Sequence, residues 1–253
     1  MISNILSERA EAAAARYERL LASYQVLYSR ALSGGVFEYV GRIAETVAEA
    51  ERKARIFLEE EKDWIAKDLY EIASEAQGRV QRKLTQKDAE ELTDAALEHL
   101  KLTQSFLTDE LVAQLQRDIA TLRRELQKAT LDVRMMARAN GISESEAAWR
   151  YRMDHDDLVL FHFLDRRSRK MPSRSFIRTI WRMSLLSAYN ETVLFTLVDH
   201  GIDRAGVVRF EDGVEKQVDV ISLSGDAPGY AAVRDTYFHP NANAYLDLEA
   251  VDV

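Results

Sequence analysis

The sequence predicts a mainly α protein: long amphipathic, coiled-coil-like helices followed by a small α+β C-terminal domain. Three observations carry this. Apolar residues recur in alternating steps of four and three across most of the first 140 positions, the spacing of a heptad seam. Only 3 Pro and 10 Gly interrupt 253 residues, so few positions resist helix. After Gly201 the texture changes to short β-branched runs between turn residues. The boundary is drawn between a helical region, 1–140, and an α+β domain, 141–253.

Leu6, Ala10, Ala13, Tyr17, Leu20, Tyr24, Leu27 and Ala31 predict a first helix of about eight turns. Ser33-Gly34-Gly35 interrupts it. Val36, Val40, Ile43, Val47, Ala50, Ala54 and Phe57 resume the spacing, and Trp64, Ile65, Leu69, Ile72 and Ala76 extend the stripe towards Gly78. The two glycines join an antiparallel hairpin or kink one long helix. A third helix is expected from about Thr85 to Ala139. Its seam runs Leu97, Leu100, Gln104, Leu107, Leu111, then Leu115, Ile119, Leu122, Leu126, Ala129, Val133, Met136. The junction at Leu111 and Leu115 makes a local 3-4-4 pattern, which unwinds a left-handed supercoil. At 1.5 Å per residue this helix reaches on the order of 80 Å, so it should protrude or line a partner.

Asn140-Gly141 ends that helix. Ser143 is an N-cap candidate, and Glu146 completes a capping box. Asp154-His155-Asp156-Asp157 leads into Leu158 to Leu164, an apolar run of helical or strand type. The chain is organised around Met171 to Gly201, read as one helix. Pro172 and Ser173 suit its start and Gly201 its stop. Phe176, Ile177, Ile180, Met183, Leu185, Leu186, Tyr189, Val193, Leu194, Leu197 and Val198 cover more than one face, so other elements should pack around it. Beyond it, Val207 to Phe210 and Val218 to Leu223 flank Glu211-Asp212-Gly213, a hairpin signal. Ser224 to Gly229 and Phe238 to Asn243 read as loops, and Tyr245 to Leu248 as a last strand.

The absence of cysteine excludes disulfides, Cys-based zinc sites and a thiol nucleophile. Neither a signal peptide nor a membrane-spanning segment is expected. The net charge is −8, yet Arg166, Arg167, Arg169, Lys170, Arg174, Arg178 and Arg182 occur without one acid up to Asn190. The remainder therefore carries −15, a strong segregation. Arg174, Arg178 and Arg182 share one helix face. This basic segment suits nucleic-acid phosphate or an acidic protein surface, two alternatives the sequence leaves equal.

His155, Asp156, Asp157 and His162 could hold a metal, but their spacing matches no zinc motif, and an acidic helix start is preferred. Asp199-His200 reads as a helix terminus, where a histidine favours the dipole, rather than as a catalytic pair without a nucleophile. Gly225 to Gly229 lacks the features of a phosphate loop. No catalytic residue, cofactor or metal site is predicted.

The motifs Ile177-Arg178-Thr179, Tyr189-Asn190, His200-Gly201-Ile202, Glu211-Asp212-Gly213 and Phe238-His239-Pro240-Asn241 occur in this order over about Ile142 to Val253. In this the C-terminal half resembles the phage head morphogenesis family, the Mu F-like minor head proteins. Gly141 to Glu146 is similar to that family's turn before a short helix. Family members often carry paired cysteines near the Asp-Gly turn and a Cys-Arg-Cys after His-Pro-Asn, suggesting a metal-stapled knuckle. This chain has no cysteine, so no metal role carries over.

The resemblance implies a non-enzymatic minor component of a tailed-phage head, found in the virion near the portal vertex. Its implied partners are portal or capsid proteins and packaged DNA, and its implied role is head assembly or DNA delivery. The helices offer a route to oligomerisation. The alternatives are a cellular coiled-coil adaptor with a C-terminal docking module, or a toxin-like enzyme. The Phe238-His239-Pro240-Asn241 loop is expected to pin the last strand beside Asp199 to Gly201, through packing and turn bonds.

Overall fold

The computed structural model describes residues 2–33, 41–86, 91–154, 159–165, 168–211, 214–225, 228–240 and 242–250. Six helices hold 75% of the described residues. They are α1 (Ile2–Ser33), α2 (Gly41–Thr85), α3 (Asp94–Asn140), α4 (Glu144–Asp154), α5 (Ser173–Asp199) and α6 (Tyr230–Tyr237). The strands are β1 (His162–Leu164), β2 (Lys170–Pro172), β3 (Arg204–Glu211), β4 (Val214–Ser222) and β5 (Ala244–Leu248). The chain is thus mainly α with a small α+β C-terminal part. Among the described residues, no helix is long and apolar enough to cross a membrane.

The chain forms two compact units. One comprises Met1–Ala13, Lys62–Asp109 and Arg178–Val253; the other comprises Ala14–Glu61 and Glu110–Ile177. The units interleave in sequence instead of dividing at position 140, because α1, α2, α3 and α5 each contribute to both. The first is called the sheet unit and the second the helical unit.

In the helical unit, Tyr17, Leu20, Tyr24 and Leu27 of the α1 seam are buried, as are Val47, Ala50 and Ala54 of α2. Arg16 pairs with Glu61 at 2.6 Å, and Arg30 pairs with Glu49. As the α1 number climbs the α2 number falls, so the two helices run antiparallel; the hairpin alternative holds. Gly34 and Gly35 themselves lie outside the described residues. On α3, Leu115, Leu122, Leu126, Ala129 and Val133 are buried. Ala137 then takes the inward place expected of Met136.

Gly141 has φ 63°, and the Ile142 amide donates to the Ala137 carbonyl at 3.1 Å. That is a left-handed helix stop suited to glycine. Ser143 caps α4, accepting from the Glu146 amide at 3.1 Å. The Glu146 carboxylate does not complete the box; it accepts from Arg150 at 2.7 Å. One exposed ion pair along the helix competes successfully with the cap.

The last three residues of the ambiguous run form β1, which pairs antiparallel with β2, while Leu158 lies outside the described residues. Met171 and Pro172 are therefore strand, and the organising helix starts two residues later than expected. Proline disfavours helix in the residue before it, so Met171 stays extended. Asp156 and Asp157 lie outside the described residues, as do His155, Arg166 and Arg167.

In the sheet unit α2 continues through Gly78 to Thr85 instead of stopping. Val80, fully buried, rewards the extra turn. Trp64, expected on the stripe, is exposed, whereas Ile65, Leu69, Ile72 and Ala76 are buried. Helix α3 begins at Asp94 rather than Thr85. Thr93 caps it through a 3.2 Å bond from the Ala96 amide, and buried Gln77 holds the approach by accepting from the Thr93 amide at 3.2 Å.

Helix α5 ends in two bonds, Gly201 amide to Val198 carbonyl and Ile202 amide to Leu197 carbonyl, both 2.9 Å, with Gly201 at φ 70°. The sheet order is β4-β3-β5, antiparallel throughout. The β3–β4 register shifts between Val207 and Val208, leaving Val218 as the extra residue of a bulge. Asp212 and Gly213, at the hairpin tip, lie outside the described residues. Helix α6 was not expected from sequence.

Candidate functional site

The basic residues meet different fates. In the helical unit, Arg169 pairs with Asp165 at 2.7 Å and is largely exposed, and Lys170 is exposed on β2. Arg174 pairs with Glu18 at 2.9 Å. In the sheet unit, Arg178 lies 3.9 Å from Glu11 and is about half exposed. Arg182 differs from the expectation of a shared phosphate-facing surface. It is buried, and its guanidinium donates to the carbonyls of Pro240 at 2.8 Å and Ala242 at 2.6 Å. Burial, then the nearby charge of Arg178, lowers its pKa from the ordinary value. Such a guanidinium is committed to the protein's own backbone.

Arg182 therefore joins two features that the sequence reading kept apart, the basic segment and the Phe238 loop. The loop continues directly from α6. The Phe238 amide donates to the Arg234 carbonyl at 2.8 Å, and the Phe238 ring is buried. The Ala242 amide then donates to the His239 carbonyl at 2.9 Å, closing a turn around Pro240. Asn241 lies outside the described residues.

After the turn, Asn243 accepts from Ser3 at 3.2 Å, and fully buried Asn190 accepts the Leu246 amide at 2.9 Å. That amide belongs to β5, so one α5 side chain holds the strand while another holds its approach. The loop was expected beside Asp199 to Gly201. Arg182 holds it seventeen positions earlier on α5, roughly 25 Å back by helical rise. A long arginine reaches two carbonyls at once, which packing at the helix end does not.

Strand β5 is fixed from its other end by charge. Asp247, buried, takes Arg79 and Lys83, each at 2.7 Å. Arg79 also holds Glu215 of β4 at 2.6 Å and lies over the Tyr245 ring. Burial opposes the Arg79 charge, but the Glu215 hydrogen bond and the Asp247 charge outweigh it, so its pKa is raised. The same bond holds the Glu215 carboxyl below its usual range. Arg79 of α2 thus bridges β4 and β5, and Lys83 adds a second cation on β5.

The helical unit has its own polar centre, and it sits where the α3 seam changes spacing. The 3-4-4 pattern turns Gln114 and Asp118 inward beside Leu115. Asp118 accepts from Tyr17 at 2.6 Å, Ser173 at 2.8 Å and Gln114 at 3.0 Å. Arg117 donates to Gln114 at 2.9 Å and lies over the Phe163 and Phe176 rings, which stack 4.1 Å apart. Burial raises the Asp118 pKa despite those donors and the Arg117 charge. Burial, and then Asp118 itself, raises Tyr17 further. This network ties α1, α3 and the start of α5 together.

His162 is near Leu160, whose carbonyl lies 3.0 Å from Nδ1. His200 Nδ1 donates to the Thr196 carbonyl at 2.9 Å, at the end of α5. Among the described residues, no three His, Asp or Glu side chains are grouped to hold a metal.

These features define a class: a mainly α protein whose last strand is clamped by buried arginine and asparagine side chains. No family model matches the sequence, and no curated protein and no solved structure matches it.

Proposed function

We propose that this protein is a minor structural protein of a tailed-phage head, acting at the portal vertex in head assembly or DNA delivery without catalysis. The reading rests on the resemblance of the C-terminal half. What supports it is that the residues carrying that resemblance also determine the local fold. Asn190 holds β5, Gly201 and Ile202 close α5, and Phe238 to Pro240 form the clamped turn. Residues engaged in holding strands and closing helices suit a structural module rather than a reaction centre.

In this reading Arg169, Lys170, Arg174 and Arg178 face packaged DNA or an acidic partner, and Arg182 does not. Phosphate contacts release counterions, so binding weakens steeply with salt. The test is mass spectrometry of purified phage particles and co-purification of tagged protein with the portal ring. Presence at a few copies per particle is expected; absence from particles and portal alike sinks the proposal. On duplex DNA, Arg174→Ala with Arg178→Ala should reduce the slope of log affinity against log salt by about 2. An unchanged slope would remove these two residues from the interface.

A further inference from the structure

The two-stranded sheet of the helical unit has one closed edge and one open one. The Asp165 amide donates to the Arg169 carbonyl at 3.1 Å, and the Ser173 amide to the Phe161 carbonyl at 3.2 Å. The register continues this as His162–Pro172, Phe163–Met171 and Leu164–Lys170, so the odd-numbered residues of β1 bond across to β2. The amides and carbonyls of His162 and Leu164 therefore point away from β2. Strand β1 has no neighbouring strand on that side, and neither amide has a hydrogen-bond partner among the described residues. Pro172 stands on the outer edge of β2 and has no amide to offer, so that edge resists a further strand.

The side chains of β1 suit a partner on the open edge. Phe163 turns inward and stacks on Phe176. Leu164 accordingly turns outward, 53% exposed, with Lys170 directly opposite on the same face. Leu160, four positions earlier, is 70% exposed. Lys170 is exposed, and no ion pair engages it among the described residues. Arg169 and Arg174, by contrast, are held by Asp165 and Glu18. An edge carrying bare amides and apolar side chains is a template for another chain unless charge, proline or a covering loop blunts it. Here proline guards only the other edge.

We infer that the outer edge of β1 takes an extended, acidic segment of a partner protein as a third strand. Its backbone bonds His162 and Leu164, its apolar side chains cover Leu160 and Leu164, and a carboxylate meets the long Lys170 side chain. Duplex DNA and lipid headgroups present no peptide backbone to those amides and no match for both leucines and the ammonium. The inference rests on reading the basic segment as an interface, and it deepens that reading by giving Lys170 a protein partner.

The probe is a short peptide with threonine at every second position and leucine and glutamate alternating between, so that leucine and glutamate share one face. It is titrated into the ¹⁵N-labelled full chain, and hydrogen exchange is read at each amide. Saturable binding should slow exchange at His162 and Leu164 by about tenfold or more and leave Lys170, on the far edge, unchanged. The same peptide N-methylated at its leucines and glutamates keeps the side chains, loses the donors and should not bind. Leu160→Ser with Leu164→Ser should weaken the first peptide roughly tenfold. No protection at His162 and Leu164, equal affinity for the N-methylated peptide, or the same protection from duplex DNA or phosphatidylserine vesicles each overturns the inference. Protection already present in the free chain and lost on dilution would put a second copy on the edge and overturn it as well. If the leucine variant fails to fold, the two peptides on the unaltered protein decide. None of these measurements needs a phage particle, so absence of the protein from particles would sink the phage-head role alone.

Discussion

Replacing Arg182 by alanine should release the last strand while leaving the helices formed. Two carbonyls, of Pro240 and Ala242, lose donors at 2.8 and 2.6 Å. A hydrogen bond from a charged group contributes ~1.5–3 kcal/mol when buried. The turn is partly exposed, so water can replace part of each bond, and the guanidinium no longer has to be desolvated. The loss should therefore sit at the low end, about 2 kcal/mol for the pair.

That corresponds to roughly thirtyfold in a local opening equilibrium. The reporters are the amide of Leu246, bonded to Asn190, and that of Phe210, bonded to the Asn243 carbonyl. Hydrogen exchange should accelerate at both by about that factor, while the fully buried α1 and α3 amides change far less. Arg182→Lys keeps the charge but satisfies one carbonyl at a time, so it should recover about half the effect. Full protection of Leu246 and Phe210 in Arg182→Ala would refute the clamp.

Other predictions follow from the same geometry. Asp247→Ala leaves Arg79 and Lys83 facing a vacated buried site and should cost roughly 3 kcal/mol in urea unfolding; a loss near zero would mean that Glu215 alone suffices. Glu215 has a depressed folded pKa, so its contribution is present above the ordinary value of 4.5 and is lost as pH falls through the folded value. The deficit of Glu215→Gln should shrink correspondingly in acid, and a constant deficit counts against the Arg79 bond. Asp118 has a raised folded pKa, so its contribution is present below the ordinary 3.8 and is lost as pH rises through the folded value. Relative to the unaltered protein, Asp118→Asn should therefore gain in urea midpoint between that pH and neutrality; a flat difference would show that the carboxyl titrates normally. Phe238→Ala with Pro240→Gly should lower the melting temperature, whereas EDTA should not; a melting temperature lowered by EDTA would revive a metal-bound loop.

The heptad spacing made α1, α2 and α3 legible because each long helix must bury one stripe, and Leu6 through Leu27 do so. Helix α5 was legible from its apolar breadth, but that breadth hid the fate of its arginines. Arg174, Arg178 and Arg182 recur every four residues, and a helix buried on several sides gives no sign which of them turns inward. The carbonyls that claim Arg182 lie some sixty positions away. Arg79 and Asp247 were overlooked for the same reason, since an ordinary surface pattern conceals a pairing 168 positions apart. Helix α6 is short, and Gly229 before it makes no side-chain cap, so the usual start signal is missing.

The three separated pieces of the sheet unit have a consequence for synthesis. On the ribosome, Ala14–Glu61 and Glu110–Ile177 are all made before Arg178–Val253 begins. The helical unit can thus close while the sheet unit still lacks α6, most of α5 and every strand. At ~5–20 residues per second this interval lasts roughly 4 to 15 s. Throughout it, the apolar stripes of Leu6, Ile65, Leu69 and Ile72 wait without the strands that complete their unit, which makes a chaperone's protection most valuable there.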